Sequence, residues 1–126
     1  MKSDSIFLLV VAIGVFFVSL GYGLFPYTSM QSLYEIEVSN INAANIYRGI
    51  MGLYIALSIF WIVGAFKDSL RLAALWSLTV FMAGVGLGRV LSIIIDGMPD
   101  MIFINYLIVE MIGGFLRFNF IKSAVK

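Results

Sequence analysis

Residues 84–110 read GVGLGRVLSIIIDGMPDMIFINYLIVE, and their reading decides the fold. Two apolar runs flank the polar turn Asp96-Gly97-Met98-Pro99-Asp100. Proline and glycine together in so short a segment end one helix and allow the next to begin. Each run is too apolar to sit in water, yet Arg89 lies inside the first and Glu110 inside the second. Charge at membrane depth is costly and marks a functional position by default. A hairpin of two membrane helices carrying an arginine and a glutamate is the expectation.

Working outward, the composition agrees. The 126 residues are 62% hydrophobic and 12% charged, which places the chain in the membrane class. The predicted fold is all-α, an antiparallel bundle of four transmembrane helices in one domain over residues 1–126. The spans are 6–25, 43–66, 72–95 and 101–121, each near the ~20 residues that cross ~30 Å of hydrocarbon. A cleaved leader competes for the first, with Ser19-Leu20-Gly21 as its small-residue site, but the weakly basic start and the length favour a retained span. Lys67-Asp68-Ser69-Leu70-Arg71 is read as the connector between the second and third spans. Residues 26–45 stay open between two readings. Tyr34-Glu35-Ile36-Glu37-Val38 alternates like an edge strand, whereas Tyr27, Met30, Tyr34, Val38 and Ile41 make a helical stripe. Asn42 is the expected N-cap of the second span.

Lys2, Lys67, Arg71, Lys122 and Lys126 share one side if both termini are cytoplasmic, and the opposite loops hold Glu35, Glu37, Asp96 and Asp100 without Lys or Arg. The positive-inside rule therefore puts both termini in the cytoplasm. Gly84 and Gly88 form a G-x-x-x-G, and Gly49 and Gly52 lie a turn apart. Small residues let membrane helices approach closely, and packing within the chain is favoured here over a dimer face. A homo-oligomer or a larger membrane-protein partner is compatible with so small a bundle.

Several function classes fall away. Without cysteine or histidine there are no disulfides, thiol nucleophiles, His-based acid–base chemistry, His-held haem, iron–sulfur ligation or zinc sites of the usual kind. No cofactor is expected. A net charge of +1 gives no basic excess for nucleic acid. No nucleophile–base pair is visible, so an enzyme is not expected.

At ~1.5 Å per residue, Glu110 lies about 15 Å below Asp100 and Arg89 about 10 Å below Asp96. Helical side chains lean toward their own N-terminus, so Arg89 on an outward-running helix points deeper and Glu110 on an inward-running one points outward. The two converge as an ion pair. Ser92 and Asp96 follow Arg89 on one face, and Tyr106 precedes Glu110 by a turn. Asn45 and Arg48 share a face of the second span, where Arg48 is read as reaching to the interface. Arg117 is read as a shallow anchor near the inner boundary. The seven positions Asn45, Arg48, Arg89, Ser92, Asp96, Tyr106 and Glu110 make the candidate ligand site.

Asn45-x-x-Arg48-Gly49-x-x-Gly52, then Gly88-Arg89-x-x-Ser92-x-x-x-Asp96-Gly97-x-Pro99, then Glu110, resembles a family of short bacterial four-helix inner-membrane proteins classified only as a domain of unknown function. The resemblance implies the helix count, a bacterial inner-membrane location and weight on these polar positions, and it implies no reaction. The function expected is binding or transport of a small anionic or amphipathic molecule, such as the headgroup of a membrane lipid. A structural or accessory subunit of a membrane complex is the alternative.

Overall fold

The computed structural model describes the backbone of residues 2–125 and the side chains of residues 2–115. Five helices follow in order: α1 (Ser3–Gly23), α2 (Pro26–Tyr34), α3 (Ile41–Phe66), α4 (Asp68–Asp96) and α5 (Met101–Val125). Among the described residues there is no strand. Arg117, Lys122 and Lys126, to which an anchor and a basic tail were assigned, lie outside the described side chains. The chain divides into two compact units, Met1–Lys67 and Asp68–Lys126.

In the first unit α1 packs on α3, and α2 closes against both. Of the described glycines, Gly23 has the tightest surroundings, and it is buried. A Cβ there would stand 2.6 Å from Met51 Cβ and 3.0 Å from both the Arg48 Cα and the Tyr47 carbonyl oxygen. Glycine is required because two of those three neighbours are backbone. Leu8, Ala12 and Trp61 fill the core. The buried hydroxyls of Ser19 and Ser58 donate to carbonyls of their own helices, at Phe16 and Tyr54, so no polar group there is left to lipid.

Residues 26–34 are helical, and 35–39, which cover most of the stretch that alternates like a strand, are in neither helix nor strand. Pro26 begins α2, where its missing N–H costs nothing. The hydroxyl of Ser29 donates to the carbonyl of Gly21 at 2.6 Å, and Met30 and Tyr34 are buried. Tyr34 stacks on Tyr22, centroids 5.7 Å apart. The helix ends at Glu35, whose φ of 57° is left-handed. The stripe therefore holds only in part: Val38 is buried beyond the helix end, while Tyr27 and Ile41 are exposed.

Two sequence expectations are corrected. The N-cap of α3 is Asn40, not Asn42; its side chain accepts from the Ala43 amide at 2.9 Å. Capping from Asn40 adds two residues to the helix. The connector after α3 shrinks to Lys67, since Asp68 opens α4 and pairs with Arg71 within its first turn.

A third correction concerns the small residues. Nothing lies within 4 Å of a Cβ placed on Gly84, Gly88, Gly49 or Gly52, so these glycines do not serve packing between the helices of either unit. In the second unit, α4 and α5 meet instead at Gly86.

Helices α1, α3 and α4 are each long and apolar enough to cross a membrane, with 22%, 22% and 17% of their apolar windows buried. So low a burial leaves Val10, Phe17, Leu53 and Leu87 outward, a surface that water would not tolerate and lipid would. The described apolar part of α5 is Met101–Phe115.

Candidate functional site

The α4–α5 hairpin is set by its turn. Gly97 has φ of +98°, a conformation that an L side chain rarely adopts, and its amide donates to the Ile93 carbonyl at 3.0 Å to close α4. The carbonyl of Asp100 then accepts from the Phe103 amide at 3.0 Å and starts α5. Farther along, the bare face of Gly86 admits α5: its Cβ would meet Met111 Sδ at 3.6 Å and Leu107 Cδ1 at 4.0 Å. Arg89, three residues on, lies on the same face of α4 and so is brought against α5.

The expected ion pair forms. Arg89 Nε donates to both carboxylate oxygens of Glu110, at 3.1 and 3.0 Å. The side chains are 23% and 12% exposed, so water screens the pair only weakly. The guanidinium carbon also lies 5.6 Å from the ring centre of Tyr106 and 6.0 Å from that of Phe103, within the range of a cation–π attraction. Phe103, Tyr106 and Glu110 fall at i, i+3 and i+7, one face of α5. The arginine is thus held by a carboxylate and two rings. Nearer the turn, the Ser92 hydroxyl donates to Asp96 Oδ2 at 3.2 Å, both residues being exposed.

A cavity of about 220 Å³ opens beside this cluster, lined by Arg89, Ser92, Ile93, Pro99 and Phe103. It combines one cation, one hydroxyl and three apolar walls. That suits a molecule with a charged end and an apolar remainder.

Five of the seven sequence-derived site residues therefore share the second unit: Arg89, Ser92, Asp96, Tyr106 and Glu110. Arg48 and Asn45 belong to the first. There Arg48 Nε donates to the Gly23 carbonyl at 3.3 Å, beside the tight α1–α3 approach, and Asn45 is exposed. Ile93, Pro99 and Phe103 were missed by the sequence reading. Phe103 was within reach of it, because it lies seven residues before Glu110 on the same helical face.

The family described as "Domain of unknown function (DUF4345)" matches residues 4–120. The chain belongs to the DUF4345 family. No curated protein and no solved structure matches it. The match takes in both units and every site residue of this DUF4345 protein. Arg89 stands in the cavity wall with its guanidinium held by a carboxylate and two rings, so its charge is already ordered at that surface.

Proposed function

We propose that this DUF4345 protein is a non-catalytic four-span protein of the bacterial inner membrane that binds or transports a small anionic or amphipathic molecule. Its termini are cytoplasmic in this reading, so the α4–α5 turn and its cavity face the outer side. The supporting observation is the cavity of about 220 Å³ with Arg89 in its wall. A site of this size, open to the surface, has room for a compact headgroup. Arg89 supplies the charge, while Ile93, Pro99 and Phe103 supply the apolar contact.

Retention of lipid through purification tests this. Native mass spectrometry of the full chain should find a bound amphiphile, and Arg89→Lys should lower its occupancy while leaving the fold intact, because lysine offers a point charge in place of a two-point fork. Equal occupancy in the two proteins would defeat the reading. Arg48→Lys and Asn45→Ala, measured alongside, ask whether the first unit contributes. The alternative, an accessory subunit, draws on the open faces at Gly84 and Gly88, where another membrane helix could approach closely. Its mark would be a protein partner retained in place of the amphiphile.

A further inference from the structure

The charges around the cavity narrow the class of ligand. Residues 84–110 contain one cation, Arg89, against three carboxylates, Asp96, Asp100 and Glu110. Arg89 is already engaged by Glu110 at 3.0 Å. A purely anionic headgroup would compete with that carboxylate for one guanidinium and add negative charge to a stretch that has an excess. A headgroup carrying its own ammonium also meets that guanidinium through its phosphate, but it adds no net negative charge. Asp96 is one hydrogen bond from the cavity wall, since its carboxylate accepts from the wall residue Ser92 at 3.2 Å. It is exposed, so an ammonium can reach it. The chain segment around the cavity also exposes Ile94, Ile95, Met98 and Met101 at 70% or more. That is a surrounding for acyl chains, and it favours a lipid over a water-soluble phosphate.

Building on the binding reading above, we infer that the occupant is a zwitterionic aminophospholipid headgroup. Its phosphate lies against Arg89, its ammonium is directed to Asp96 at the mouth, and its acyl chains run over the exposed apolar residues.

Calorimetric titration of the full chain in detergent tests this with dihexanoyl phosphatidylethanolamine, dihexanoyl phosphatidylglycerol and inorganic phosphate. The ethanolamine lipid should bind roughly two- to fivefold tighter than the glycerol lipid, the size of one solvent-exposed charge pair. Asp96→Asn should erase that preference and Asp96→Glu should keep it. Asp96 is exposed, so an unchanged melting temperature will verify that Asp96→Asn folds. Arg89→Lys should weaken both lipids about tenfold through loss of the charge-assisted fork. Equal affinity for the two lipids, with both weakened by Arg89→Lys, would overturn the zwitterion assignment and leave an anion site standing. Inorganic phosphate bound as tightly as the ethanolamine lipid would overturn the lipid assignment. Lipid affinities indifferent to Arg89→Lys would remove the site itself.

Discussion

Arg89 and Glu110 form an interaction whose energetics mutation can isolate. Taking away one partner leaves the other charge buried and uncompensated, a loss of about 3–5 kcal/mol in soluble proteins. Arg89→Leu and Glu110→Leu should each lower stability in detergent, and the double variant should recover part of the loss. Denaturant titration of the four proteins measures this, and strictly additive losses would mean that the two side chains are not coupled. The pair was legible in the sequence because depth is a count of residues and lean follows helix direction. Which glycine packs was not so plainly written. Gly84, Gly86 and Gly88 lie within about a turn of one another, and only the rotation of α4 about its axis decides which one meets α5. The pair itself fixes that rotation: with Arg89 turned to Glu110, Gly86 three residues earlier must face α5, and Gly84 and Gly88 turn away.

At the level of elements, the ends of the helices carried the errors. The long apolar helices declared themselves through composition. Their starts did not, because residues 40, 42 and 45 are all asparagine and each is a competent cap. The chain uses Asn40. Asn40→Ala should therefore cost about 1 kcal/mol, and Asn42→Ala, at a site inside the helix, should cost less; thermal melts in detergent distinguish the two. If Asn42→Ala cost more, the assignment of the cap would be reversed. Helix α2 was ambiguous for a different reason. Nine residues are too few to hold a helix alone. It is held by Ser29 on the Gly21 carbonyl and by burial of Met30 and Tyr34, contacts to the rest of the first unit that no local pattern announces.

At the scale of the whole molecule, the apolar exterior suits lipid as the medium, and in the proposed topology the one-sided Lys and Arg distribution sets the orientation of the chain. Ser32 and Ser69 are both exposed and lie on opposite sides in the proposed topology. A cysteine at 32 should react with an impermeant reagent in intact cells, and one at 69 only after permeabilisation; the reverse pattern would invert the protein. The membrane class and the Arg89–Glu110 pair could be read from sequence, since both follow from where charge is placed along apolar runs. The two-unit division could not, because it depends on which helix faces meet. The Arg89–Glu110 contact has one further consequence. A transmembrane voltage acts on net charge, at about 2.3 kcal/mol per elementary charge for each 100 mV of field crossed. A paired cation and anion sum to zero, so the parent protein should hold the same conformation in polarised and unpolarised vesicles. Glu110→Gln strips away the balancing charge and leaves a lone arginine in the field. A fluorophore at position 98 on the α4–α5 turn should then respond to an imposed potential in that variant and stay silent in the parent, making the carboxylate the element that blinds this protein to voltage.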